Sequence, residues 1–62
     1  MKILVNKIRC RTCEDIIESK SVHDYKACKC GRVSVDGGTA YLRREFKQSA
    51  EDFEDLSVTD ET

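Results

Sequence analysis

Four cysteines fall as Cys10-x-x-Cys13 and, after a fourteen-residue insert, Cys28-x-Cys30-Gly31. Thiolates are soft donors, and two close pairs separated by a hairpin-sized insert are the sequence form of a tetrahedral metal site. A tight turn aims two sulfurs at one point about 2.3 Å away, and a second turn brought alongside closes the shell. The expected ligands are Cys10, Cys13, Cys28 and Cys30, and the expected ion is a structural Zn²⁺ with no open catalytic position. Gly31 suits a knuckle whose last residue takes a positive φ. Other chemistries use the same residues. Two disulfides need an oxidising compartment, and a Cys28–Cys30 bond would close a small strained ring, so they would have to run between the pairs. A thioredoxin-like centre places its Cys-x-x-Cys at a helix start within a βαβ pattern, which this sequence lacks. Arg9 and Arg11 put positive charge beside the first pair, which suits a reactive thiolate and keeps a thiol redox switch open. A different metal or a cluster is the remaining alternative. His23, the one histidine, reads as a strand residue within the insert rather than a ligand.

A chain of 62 residues, 39% hydrophobic and 37% charged, without Trp or Pro, has little with which to hold such a site. A domain this small buries only about 60% of its unfolded surface, and its core seldom supplies more than about 3–5 kcal/mol. Binding of structural zinc contributes about 10–16 kcal/mol. The metal is therefore expected to decide whether the chain folds. Ligand pockets run to about 300–1,000 Å³, so an enzyme with its own deep pocket is disfavoured. No carboxylate pair, Ser-His arrangement or Gly-rich phosphate loop stands in a supporting context, and the expectation is a non-enzyme. The longest apolar run, Ile3-Leu4-Val5, is too short for a membrane span or a signal-peptide core. A soluble, cytoplasmic protein is expected.

The elements that position the cysteines read as short strands. Residues 2–9 are rich in β-branched side chains and lead into Cys10, predicting an edge strand with lysines at its margin. Ile16-Ile17 predicts a short strand followed by a turn, and residues 22–27 a second segment leading back to Cys28. Val33-Ser34-Val35 alternates, placing both valines in the core and Ser34 in water. Asp36-Gly37-Gly38 is the strongest turn signal, with residues 39–43 as the return strand and Tyr41 beside Val35 on its inner face. Ser49 and Asp52 resemble a helix N-cap arrangement, and Phe53 and Leu56 are spaced i, i+3, predicting a short amphipathic helix over 49–56. Residues 57–62 read as disordered. The expected fold is a small β-rich zinc-ribbon-like module over residues 1–44, with an acidic C-terminal segment over 45–62.

Charge divides along the same line. Residues 1–44 carry ten Lys or Arg against five Asp or Glu, and residues 45–62 carry one Lys against seven acids. A zinc held by four thiolates has a charge of about −2 and lowers the excess of the basic half to about +3. That is mildly basic, and near neutrality overall, with two tyrosines and no Trp, weakens the case for direct DNA binding.

Cys10-Cys13, Cys28-Cys30-Gly31, Val33-x-Val35-Asp36-Gly37-Gly38 and Tyr41-Leu42-Arg43-Arg44 together resemble a family of small uncharacterised zinc-ribbon-like proteins of bacteriophages, prophages and Firmicutes. The similarity runs from about Asn6 to Arg44. The family pattern carries Gly where this chain has Glu14. The resemblance implies a bacterial or phage-infected cytoplasm and brings no activity with it.

Three functional readings follow. The first is a binding module, an accessory protein of phage type that contacts a host protein. The second is a nucleic-acid-binding ribbon, with Arg9, Arg11, Lys29, Arg32, Arg43 and Arg44 for phosphates and Tyr25 or Tyr41 for stacking. The third is an inhibitor of a nucleic-acid-binding defence protein of CRISPR type. There Glu51, Asp52, Glu54 and Asp55 on the C-terminal helix would imitate phosphates and Phe53 would anchor it. An unpaired N-terminal strand exposing Ile3 and Val5, together with Phe53, would also permit a homodimer.

Overall fold

A computed structural model describes residues 2–60 as two small antiparallel sheets. The strands are β1 (Lys2–Cys10), β2 (Ile16–Ser19), β3 (Lys26–Ala27), β4 (Val33–Asp36), β5 (Arg43–Phe46), β6 (Phe53–Asp55) and β7 (Val58–Asp60). A three-residue 3₁₀ turn, Ala50–Asp52, precedes β6. No helix among these residues is long and apolar enough to cross a membrane.

β1 is the centre of the first sheet, not its edge. Ile8 pairs with Ile17 of β2 on one side and with Asp55 of β6 on the other. β7 continues past β6 along β1, pairing Lys2 with Asp60 and Val5 with Val58. The register shifts between Ile3 and Val5, a bulge at Leu4 that changes which side chains face inward. Ile3 is therefore buried, as are Asn6, Ile8 and Cys10 further along, while Leu4 is 49% exposed. The strand edge expected to seed a homodimer is covered by the chain's own C-terminal segment, with Ile3 buried and Val5 and Phe53 half-buried.

The second sheet has the order β3-β4-β5. Its central strand lays Val33 and Val35 against Ile8, Ile17, Cys10 and Cys28, which together form the core. Ser34 is buried as well, at 4% exposure, against the expectation that it faces water. A central strand in a sheet this narrow has its outer face shaded by side chains from both neighbours.

The hairpin from β4 to β5 is wider than a two-residue Asp-Gly turn. Asp36 pairs with Arg43, so residues 37–42 form the loop and the return strand is 43–46 rather than 39–43. Tyr41 sits in the loop, 44% exposed, and Arg44 is the partner of Val35. The cause is Asn6, which is fully buried and whose Nδ2 donates to the carbonyls of Asp36 (2.9 Å), Gly38 (3.0 Å) and, at longer range, Tyr41 (3.4 Å). The loop is wrapped around that amide. Gly37 and Gly38 both have positive φ, and a Cβ at Gly38 would overlap the backbone of Ser21.

The expected helix over 49–56 does not form. Ser49 does cap a turn, accepting from the Glu51 N–H at 3.0 Å, and Asp52 completes the capping box. Phe53 then turns extended, at φ −135° and ψ 157°. The open edge of β1 offers ladder hydrogen bonds and a packed site for Phe53, which outweigh the propensity of an eight-residue helix that is marginal alone. Residues 58–60, expected to be disordered, are β7, and residues 61–62 lie outside the described part. β5 also runs across the expected boundary at 44/45, so the acidic segment is a strap on the first sheet rather than an appendage.

Candidate metal centre

The two cysteine pairs stand at the C-terminal end of β1 and just before β4, and the sheets bring them together. In the first knuckle the Glu14 N–H bonds the Cys10 carbonyl at 2.9 Å and the Cys10 N–H bonds Asp15 O at 2.9 Å. The Cys13 N–H points at the Cys10 sulfur, 3.5 Å away. In the second, the Gly31 N–H bonds the Cys28 carbonyl and the Cys28 N–H bonds Val33 O, both at 3.0 Å. Gly31 has φ +73°, as expected. Glu14, the residue after Cys13, takes the same left-handed region at φ +62°. One side chain joins the knuckles: the Asp15 carboxylate accepts the Lys29 N–H at 3.1 Å.

All four Sγ atoms lie within 4.8 Å of one another. Cys10 to Cys30 is 3.6 Å and Cys28 to Cys30 is 3.5 Å, and all four cysteines are free thiols. Metal–sulfur bonds of about 2.3 Å arranged tetrahedrally place sulfurs about 3.8 Å apart, so the spacing fits one thiophilic ion held by Cys10, Cys13, Cys28 and Cys30. Cys10 and Cys28 are buried, Cys13 is half-buried and Cys30 is exposed. The centre thus has a dry side in the core and one ligand at the surface.

The electrostatics of the thiols favour a cation between them. For Cys28, desolvation pushes the pKa up, but hydrogen bonds from the Val33 backbone and from the thiols of Cys30, Cys10 and Cys13 prevail and lower it to about 6. Cys13 is also lowered, first by the backbone of Asp15 and then by that of Cys30. Cys30 moves the other way. The Arg32 backbone favours its thiolate, yet desolvation and the three neighbouring thiols raise it to about 11. A first thiolate forms readily in this cluster and the last resists. A dication removes that conflict.

The other residues singled out in the sequence are scattered. Arg9 is exposed and paired with Glu14 at 3.4 Å. Arg11 binds the strap, its N–H reaching Asp52 O at 2.9 Å and its Nε reaching Phe53 O at 3.4 Å. Arg44 is committed internally, bonding Asp55 Oδ1 and Ser57 Oγ at 2.8 Å each, with its guanidinium 5.8 Å from the Phe53 ring centroid. Lys29, Arg32 and Arg43 belong to the second sheet or its knuckle, with Lys29 and Arg43 exposed. The four carboxylates do not share a helix face. Asp52 accepts from the N–H groups of Gln48 and Ser49, Asp55 holds Arg44, and Glu51 and Glu54 point outward. His23 is exposed and outside the cysteine cluster.

Sequence reasoning missed Asp15, whose position two residues after Cys13 could have marked it as a knuckle brace. It also missed Asn6. That residue shares the inward phase of Ile8 and Cys10, and a polar residue on a core-facing phase signals a buried hydrogen-bonding role. No curated protein and no solved structure matches the chain. The family model described as "Domain of unknown function (DUF7695)" matches residues 2–46, which include all four cysteines and β1 to β5, and the chain belongs to that family.

Proposed function

We propose that this chain is a non-enzymatic binding module whose fold is completed by a structural zinc ion and whose function resides on its surface. The observation that carries the reading is the convergence of four thiol sulfurs to within 4.8 Å. An all-sulfur tetrahedral shell is the preference of zinc, and four protein ligands leave it no position for substrate. Bound there, zinc supplies cross-linking energy and neutralises thiolates; Asp15 and the knuckle N–H groups orient the sulfurs.

An accessory protein of phage type acting on a host partner is the setting that the sequence resemblance implies. The acidic strap is a poor contact surface for that role, because Asp52, Phe53 and Asp55 are spent on the chain's own β1, Ser49 and Arg44. With no helix to array its carboxylates, mimicry of nucleic acid by residues 51–55 loses its basis. Among the described residues, Arg43 of the second sheet and Arg32 and Lys29 of its knuckle are cations without an ion pair, and a partner is expected on that side.

Native mass spectrometry of the reduced protein tests the zinc assignment. One zinc per chain is expected, with loss of NMR dispersion on chelation and slow alkylation of the thiols until chelator is added. A well-dispersed spectrum from a metal-free chain would overturn the reading, and rapid alkylation of the metal-loaded form would favour a thiol switch instead.

A further inference from the structure

The second sheet ends on an open strand. Its order β3-β4-β5 leaves β5 with one neighbour, and among the described residues no strand or backbone group bonds its far side. Antiparallel ladders alternate, so the groups left over can be named. The Cys28 N–H bonds Val33 O, which turns the backbone of Val33 and Val35 toward β3 and that of Ser34 and Asp36 toward β5. Glu45 and Arg43 are their partners, so the N–H and C=O of Arg44 and Phe46 face outward. Such an edge is a template for another strand.

Charge selects the strand. Arg43 and Glu45 share a face with Asp36 and Ser34, both are exposed, and neither has an ion pair in its own chain. Of the described edge strands only β5 carries both signs: β2, β6 and β7 hold acids without a cation, and β3 is Lys26-Ala27. Two copies of β5 related by a two-fold axis normal to the sheet pair antiparallel, with opposed residues on the same face. Centred on Arg44, that pairing sets Arg43 opposite Glu45 of the second copy and Glu45 opposite Arg43 of the second copy. These are positions without mutual hydrogen bonds, where side chains come closest. The neighbouring registers are closed, because centring on Arg43 opposes two arginines and centring on Glu45 opposes two carboxylates. The Arg44 side chains that meet in the favoured register are each held by Asp55 at 2.8 Å. One step along, Leu42 meets Phe46 of the second copy, a ring 45% exposed in the single chain.

We infer that β5 is a self-recognition edge, pairing antiparallel with β5 of a second copy so that two three-stranded sheets become one. Two Arg43–Glu45 pairs set its register. The inference goes beyond the proposed function and leaves the metal ligands untouched.

The test is sedimentation equilibrium of reduced, metal-loaded protein. A four-residue edge makes a contact at the small, transient end of interface sizes, so concentrations run from about 10 μM to about 1 mM. A reversible dimer is expected. Symmetry counts each substitution twice, so Arg43→Glu and Glu45→Arg are each expected to weaken it about tenfold. Mixing the two variants restores opposite charges at both positions and is expected to give a heterodimer at least as tight as the original dimer. In hydrogen exchange, the Arg44 and Phe46 amides slow as concentration rises, whereas those of Arg43 and Glu45 are slow throughout. Zinc stoichiometry and NMR dispersion are measured on each variant so that misfolding is not read as lost pairing. Folded protein that stays monomeric across the range, a dimer indifferent to both substitutions, or variants that fail to associate when mixed overturn the inference and leave the zinc module standing. A monomer whose Arg44 and Phe46 amides shift on adding a Thr-Val repeat peptide would overturn self-recognition and give the edge to any extended strand. A chain folded without metal overturns the zinc reading, and the same sedimentation series still judges β5.

Discussion

The two ends of this protein solve one problem with different chemistry. At one end, the knuckles around Cys10, Cys13, Cys28 and Cys30 have no apolar side chains of their own with which to hold their turns. At the other, residues 37–42 form a loop whose apolar side chains, Ala40, Tyr41 and Leu42, stay out of the core. The first end brings together four soft donors which, on the zinc reading proposed above, an ion from outside completes. The second uses one amide, Asn6, whose donors meet carbonyls already in the chain. The metal end is thus conditional on metal and pH, while the Asn6 end is conditional on nothing except burial. Its weakness is concentration. Removing one side chain takes away the donor shared by the carbonyls of Asp36, Gly38 and Tyr41.

Breaking the metal end has the largest expected effect. Cys28→Ser, or a strong chelator, is expected to abolish the cooperative thermal transition, since the ion's contribution of about 10–16 kcal/mol exceeds what the small core supplies. A chelated protein that still melts cooperatively near the original temperature would contradict it. The same end is the pH-sensitive one. In the metal-free chain Cys30 has its pKa raised to about 11 and holds its proton at neutral pH, so binding must displace that proton. Zinc affinity is therefore expected to rise with pH, with at least one proton released per ion at pH 7. Calorimetry in buffers of different ionisation enthalpy measures that number.

Breaking the Asn6 end comes next. Asn6→Asp keeps the shape and replaces the donor with a third-party acceptor facing two or three carbonyls. A loss of about 3 kcal/mol or more is expected in zinc-loaded protein, from an unpaired buried group set against lone pairs. Asn6→Ala, which creates no repulsion, is expected to cost about 2 kcal/mol. Denaturant titrations with metal present separate the two, and equal losses would mean that the amide only fills space.

These ends also differ in how far they were legible. Cysteine spacing encodes the metal site directly, because ligand chemistry depends on residue type and a local turn, and Gly31 confirmed its knuckle. The strands over β1, β2 and β4 followed from branching and alternation. What stayed hidden depends on contacts between distant segments. Asn6 and the loop are 30 residues or more apart, so Asp36-Gly37-Gly38 looked like a tight hairpin when it was half of a clasp. The strap misled for a related reason. Ser49 and Asp52 made the cap that their types promised, but the open edge of β1 captured Phe53 and ended the helix after one turn. Local pattern reads caps and turns well, and it cannot see which edge is vacant.

The strap offers a smaller perturbation. Partial burial desolvates the Asp55 carboxyl, but Ser57 and Arg44 outweigh that and hold its pKa below the ordinary value of 3.8. A depressed carboxyl stabilises the fold above its unfolded pKa and loses that contribution as pH falls through the folded value. Asp55→Asn is therefore expected to cost about 1 kcal/mol, undiminished between pH 7 and pH 5. Faster hydrogen exchange at β7 than at β2 in the variant would show that the strap has loosened alone.

The last perturbation returns to the first knuckle and should strengthen it. Glu14 occupies left-handed backbone at φ +62°, a conformation that costs an L-residue about 1–2 kcal/mol and glycine almost nothing. Its ion pair with Arg9 returns little, since the two side chains are 44% and 73% exposed. Glycine adds back-bone freedom to the unfolded chain, worth about 0.4–1 kcal/mol in the opposite direction. Glu14→Gly should therefore stabilise zinc-loaded protein by about 0.5–1 kcal/mol, visible as a higher melting temperature. Gly31→Ala in the other knuckle should do the reverse by a similar amount, because φ is +73° there and no atom within 4 Å opposes a Cβ. Opposite signs from the two changes would tie the effect to backbone conformation. A loss of stability in both would mean that the Glu14 side chain, rather than its strained backbone, matters to the knuckle.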